Sequence, residues 1–170
     1  MIDLPQIQTQ MKQTAAAIYE LAHWVTDEQA KWKPDPASWS MLEVVNHLYD
    51  EEREDFRVRL DYILHHPAEK WPPIDPEGWV TARAYNKRDL AESLANFRQE
   101  RERSLTWLAT LTGADWQASY ETPFGPISAG DMLVAWAGHD LLHLRQLVEL
   151  HWAYRLANGR SFRPDYAGRW

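Results

Sequence analysis

The sequence contains no cysteine. Disulfides, thiolate zinc sites and a cysteine nucleophile are thereby excluded. It has no apolar run approaching the length that crosses a bilayer. The segment from Met1 to Thr14 has no basic stretch leading into an apolar one, so it does not read as a signal peptide. Basic residues are in the minority, 18 Lys and Arg against 25 Asp and Glu, for a net charge of -7. Nucleic-acid binding relies on clustered Lys and Arg to meet phosphate, so this balance argues against it and gives no attraction to anionic lipid. A soluble cytoplasmic protein, with no nucleic-acid or membrane partner, is the expectation.

The 170 residues suit one domain spanning 1–170. Apolar residues make up 45%, enough for a substantial core. Ten tryptophans point to thick aromatic packing or an aromatic-lined pocket. Apolar positions recur at helical spacing in four segments, about 5–24, 41–64, 87–111 and 129–156, and no strand-like alternation is long enough to build a sheet. The fold class predicted is all-α, a four-helix bundle. Ser38 or Ser40 is the expected cap of the second helix, with Glu43 at capping-box spacing from Ser40, and Ser128 with Asp131 has the same spacing at the fourth. Asn86 is the expected cap of the third helix.

Between the second and third helices, His65 to Tyr85 holds four prolines, a density at which no helix is expected. A connector of that length serves as a crossover that lets the third helix run parallel to the second, or as a functional loop. Most of the acidic run from Asp50 to Asp55 is expected on a solvated face. Arg101 falls in the apolar stripe of the third helix, where snorkelling to solvent is the expectation. The fourth helix is apolar nearly all round, which predicts burial on several sides or a self-association face. The tail 158–170 has no period.

Chemistry concentrates in His139-Asp-Leu-Leu-His143. Two imidazoles four residues apart on a helix lie about 5–6 Å apart at Cβ and can close on one cation. The alternative is a pair of core histidines bonded to backbone or carboxylates. A third ligand must come from another helix. His151 lies roughly 12 Å beyond His143 along the axis, and His65 and His66 about 27 Å past the level of His47, at 1.5 Å per residue. His23 ends the first helix and is not favoured. His47, beside the buried stripe of the second helix, completes three nitrogens, although a lone histidine there is more often structural. The Asp in place of Glu, and the lack of a further ligand at workable spacing, argue against a zinc-protease HExxH site.

Trp39-Ser-Met-Leu-Glu43-Val-Val-Asn-His47-Leu, followed by His139-Asp-x-x-His143-x-x-Gln146, resembles the DinB-like superfamily over about Leu4 to Tyr154. The resemblance implies a bundle of up-down-down-up topology and a divalent-metal site formed by His47, His139 and His143. It also implies metal-dependent transferase or isomerase activity with low-molecular-weight thiols such as bacillithiol, mycothiol or glutathione, and a homodimer.

Three neutral nitrogens leave at least one coordination position open, the pattern of catalytic rather than structural zinc. Imidazole suits zinc, nickel, iron and copper alike; zinc or nickel is expected, with iron as the alternative. The leading expectation is a small-molecule enzyme whose metal activates an external thiol, since the chain supplies none. The alternatives are a metal-hydroxide hydrolase and a non-enzymatic binding or protective protein with a structural metal. Around the site, Gln146 is expected either to bond a ligand or to fix helix packing. Glu51 and Asp140 are expected to be network carboxylates or to orient a histidine. Trp71 and Trp79 are candidates to cover the metal, whereas Trp39 and Trp136 are expected in the core.

Overall fold

The computed structural model describes residues 2–159 and 162–168. Its long helices are α1 (Leu4–Ala22), the continuous run α3 (Met41–Glu51), a π-helical turn (Glu52–Phe56) and α4 (Arg57–His65), then α6 (Leu90–Leu108) and α7 (Ala129–Asn158). Short helices α2 (Asp27–Lys31) and α5 (Pro76–Ala82) lie in the connections, and an antiparallel hairpin of β1 (Ser119–Thr122) and β2 (Gly125–Ser128) precedes α7.

Local chemistry sets the boundaries. Ser40 and Ser128 each close a capping box, with Glu43 and Asp131, satisfying backbone donors that a helix start leaves open. Pro5 occupies the first turn of α1, where its missing N–H costs nothing. The third bundle helix starts later than predicted because Asp89, not Asn86, caps it. Asn86 instead accepts from the Ser40 hydroxyl and donates to the Lys31 carbonyl, tying the crossover to the start of α3.

The proline-rich crossover does hold a helix, contrary to expectation. Pro76 sits in the first turn of α5, the one place a helix tolerates it, and Asp75 caps the turn by accepting from the Gly78 N–H. A Cβ at Gly78 would stand 1.9 Å from the Asp75 carboxylate, so only glycine allows that cap. The hairpin was also not foreseen. Its strands are four residues each, too short for an alternation to register, and Gly125 takes the positive φ its turn needs.

Cross-helix hydrogen bonds fix the directions. Asn46 pairs with Ser93 and Arg57 with Ser104, so α3–α4 and α6 run parallel. Thr14 pairs with Asp140 and His151 with the Leu21 carbonyl, so α1 and α7 run parallel. Gln8 reaches Leu105 and Arg101 reaches Met11, an antiparallel pairing of α1 with α6. The result is the up-down-down-up bundle, with the crossover spanning its length.

The core forms two apolar clusters. One centres on Ile18, Leu42, Val45, Phe97 and Leu147, and the other on Met11, Leu60, Ile63, Leu133 and Trp136. A polar layer separates them. Arg101, 2% exposed, reaches Glu52 at 2.5 and 2.9 Å and Asp140 at 2.6 and 2.7 Å, and donates to the Met11 carbonyl. Thr14 also donates to Asp140, and the Trp136 indole N–H to Glu52. The snorkelling expectation is therefore wrong: two buried carboxylates hold the guanidinium inside, which a bidentate fork can satisfy and an ammonium cannot.

The acidic run is also not a solvated face. Asp50, Glu51 and Glu52 are buried. Asp50 is held by Tyr85, Arg83 and Arg53, and Glu54 by Arg83, so the run is the anchor for the crossover. On α7 Val134, Leu141 and Leu142 are exposed, so the helix is not covered on all sides within the chain. The expected irregular tail contains a short 3₁₀ turn at Asp165–Ala167 and otherwise falls partly outside the described residues.

Replacing Arg101 with Met leaves two carboxylates buried without a counter-charge. The expected loss is about 3–5 kcal/mol, a fall in melting temperature of about 6–20 °C. Thermal denaturation followed by circular dichroism checks it, and an unchanged midpoint would show that the network does not hold the bundle.

Candidate metal centre

His47 stands in the second turn of α3, and His139 and His143 in the middle of α7, where the two helices cross antiparallel. The Nε2 atoms converge. His47 Nε2 is 3.4 Å from His139 Nε2, which is 3.1 Å from His143 Nε2. Two nitrogens each bonded to a tetrahedral ion lie about 3.3–3.4 Å apart, so the donor spacing fits one divalent cation. Among the described residues no carboxylate or other histidine joins these three atoms in a compact cluster.

The tautomers fit as well. His143 Nδ1–H donates to Gln146 Oε1 at 2.8 Å, which leaves the Nε2 lone pair facing its partners. Of the two roles weighed for Gln146, the structure shows the bond to a candidate ligand. His47 Nδ1 is buried with no partner.

Electrostatics keep the imidazoles neutral. Burial first, then repulsion from His143 and His139, pushes His47 down to about 2. His139 is pushed down to about 4, again by burial and then His143, against the opposing pull of Asp140. Burial lowers His143 too, partly offset by its bond to Gln146. Neutral imidazole is the form that ligates a metal. Burial, the first cause for all three, does most to maintain it.

The centre opens into a cleft of about 550 Å³ lined by Trp39, Glu51, Glu77, Leu142, Arg145 and Gln146 together with the three imidazoles. A second cleft of about 490 Å³ shares Trp39, His143 and Gln146 and continues over Pro34, Ala37, Leu150 and Ala153. The two meet at His143. Trp39 stands 4.8 Å from the His47 ring and stacks parallel to His143 at 6.3 Å. Its expected place in the core is corrected to a place on the wall of the cleft. Trp136 is buried as expected, under the network.

Trp71 and Trp79 do not cover the site. Trp71 stacks on Tyr120 under Arg59, and Trp79 lies beneath Arg83. The crossover reaches the cleft through Pro76 and Glu77 instead, which no periodicity in the sequence marks. His151 bonds the Leu21 carbonyl and stacks on Trp24, away from the three imidazoles. His65 and His66 are exposed, and His23 is exposed beside Glu20. Asp140 belongs to the Arg101 network. Glu51 faces the cleft, its carboxyl pushed up to about 8 by burial and then by Asp55.

A model of the DinB superfamily matches residues 10–147. Among solved structures the fold is similar to that of YfiT from Bacillus subtilis, described as a probable metal-dependent hydrolase with an unusual four-helix bundle topology. The identity is 20%, the TM-score 0.77, and the match covers 88% of this chain and 87% of that one. No curated protein matches the sequence.

The depressed histidines predict how stability responds to acid. In the unfolded chain each titrates near 6.5. Below that pH the unfolded state binds protons the folded state refuses, so the stability of the metal-free protein falls as pH drops from about 6.5 towards 4. Thermal melts between pH 7 and pH 4.5 should show that decline, and His139→Gln should flatten it. A slope unchanged in the variant would contradict the assignment.

Proposed function

The chain belongs to the DinB superfamily, and from that footing we propose that it is a divalent-metal-dependent enzyme acting on a small molecule, with His47, His139 and His143 as the metal ligands. One observation carries this reading: three imidazole Nε2 atoms converge at ligand spacing, with no fourth protein ligand among the described residues, on a cleft wide enough for a small molecule. Structural sites are closed by four protein ligands, whereas catalytic ones keep a position for water or substrate.

A divalent ion at this centre supplies Lewis acidity, which polarises a carbonyl or lowers the pKa of a water. The chain's own residues set the geometry. Gln146 fixes the tautomer and orientation of His143. Trp39 presents an aromatic wall to a substrate beside His47 and His143. Trp39, Leu142 and the crossover's Pro76 add apolar surface to the cleft around the imidazoles. Hydrolysis is the reaction we infer, in line with the description of YfiT.

Thiol transfer is the second reading, and the two-lobed cleft favours it. Lobes of about 550 and 490 Å³ meet at His143 and would seat a thiol and its acceptor on either side. Because the chain has no cysteine, the thiol would come from solution.

The test begins with the metal content of purified protein and its loss in His143→Ala. The expected result is about one zinc, nickel or iron per chain, retained by the wild type alone. Esters and amides are then screened with and without metal, in the presence and absence of low-molecular-weight thiols. Metal-dependent turnover without thiol supports hydrolysis, and turnover only with thiol supports transfer. A wild-type protein that binds no divalent metal would sink both.

A further inference from the structure

Two of the buried polar atoms without a hydrogen-bond partner belong to one helix and one cleft. They are Nδ1 of His47 and Oε1 of Glu51. Both residues line the cleft, at 5% and 4% exposure. They are four residues apart, so they lie on the same face of the helix, one turn from each other. Helical side chains lean towards the N-terminus, which points Glu51 back along the helix at His47. One orphan is an acceptor. The other becomes a donor as soon as Nε2 of the same ring is committed to a metal, because the remaining proton then resides on Nδ1.

The guanidinium that acts on Glu51, Arg59, is paired with Asp55. The hydroxyl-bearing and amide side chains nearby are engaged elsewhere: Asn46 with Ser93 and Arg88, and Gln146 with His143. The contact of Glu51 with Asp55 leaves Oε1 unmatched. Glu52 diverges at the π turn and is consumed by Arg101 and Trp136. Buried polar atoms without partners are destabilising and uncommon. A complementary pair one turn apart needs only a side-chain rotation to close.

We propose that Glu51 is the positioning residue of the metal centre, accepting a hydrogen bond from His47 Nδ1–H and thereby aiming His47 Nε2 at the cation. The inference rests on the three-histidine reading above and adds the residue that orients its third ligand. Gln146 does the same for His143, so each of these two ligands has its own carbonyl-type acceptor. The acceptor for His47 is a carboxyl oxygen, and a hydrogen bond from Nδ1–H to it raises the basicity of the ring.

The experiment compares wild type, Glu51→Gln and Glu51→Ala, each loaded with zinc and shown to keep its helical circular dichroism. Zinc affinity is measured by competition with a chromophoric chelator. Proton–nitrogen NMR of ¹⁵N-histidine-labelled protein reads the imidazole Nδ1–H of His47, assigned by its absence in His47→Ala. The expected result is a Kd raised about 10–100-fold in Glu51→Ala, with most of the affinity restored in Glu51→Gln, whose amide oxygen still accepts. The His47 Nδ1–H resonance, protected and downfield in the wild type, should move and exchange faster in Glu51→Ala. Wild-type zinc affinity in Glu51→Ala, or an unmoved His47 resonance, overturns the proposal while leaving the three-histidine centre standing. A wild type that binds no zinc, nickel or iron overturns that centre, and the proposal with it.

Discussion

Arg101 is the constraint from which the rest of the bundle is arranged. Its guanidinium sits between two apolar clusters and satisfies Glu52 from the second bundle helix, Asp140 from the fourth and a carbonyl from the first, while it is itself carried on the third. One side chain therefore touches all four helices. A buried ionic group of this kind contributes little net stability against an apolar alternative. It does impose geometry, because a planar fork accepts only a narrow range of carboxylate placements. Helices held by apolar contacts alone could slide by a turn. With Arg101 in place, Met11, Glu52 and Asp140 must share one level.

That level sets the metal centre. Asp140 follows His139 directly, and Glu52 lies five residues past His47. Fixing the two carboxylates fixes the heights at which the two helices present their imidazoles. The π turn begins at Glu52 and splits the consecutive glutamates between two tasks, Glu52 into the Arg101 network and Glu51 onto the cleft. π turns recur at functional sites because one inserted residue re-aims its neighbours without ending the helix. The network also enters the electrostatics of the centre: Asp140 favours a charged His139 and Arg101 opposes it, while burial outweighs both.

What the sequence revealed, and what it hid, follow from the range of the forces involved. Capping boxes at Ser40 and Ser128 are local, and spacing alone identified them. The paired His139 and His143 are local too; axial distance set aside His151, His65 and His66 but not His23, and the family resemblance implied His47 as the third member. The fate of Arg101 was not legible, because its partners lie 49 and 39 residues away and the stripe around it is apolar. The acidic run looked solvated for the same reason: Arg83 and Tyr85, which hold Asp50, come from the crossover, and Arg101, which holds Glu52, from the third bundle helix. Pro76 was read as a helix breaker when its position after Asp75 made it a helix starter. Trp39 was assigned to the core as a large aromatic, and nothing local in the sequence reports that the space beside it is an open cleft.

The distribution of unsatisfied polar atoms bears on function. Among the described residues four buried side-chain atoms lack partners: His47 Nδ1, Glu51 Oε1, Glu52 Oε2 and Trp71 Nε1. Two line the three-histidine cleft and a third belongs to the residue beside them. A chain of this size can satisfy nearly all its buried polar groups, and in the Arg101 network only Glu52 Oε2 goes without a partner. Local rules that hold elsewhere and fail together at one place mark a site shaped for something other than stability. Three imidazoles kept neutral by burial, one of them bonded to Gln146, line the cleft in which we propose that a cation binds. A cation bound there would add positive charge to a cleft lined by Glu51, Glu77 and Glu149. In a centre that takes a metal, binding and folding are coupled, so under the proposed reading the energy left unclaimed by these orphaned atoms would be recovered on binding.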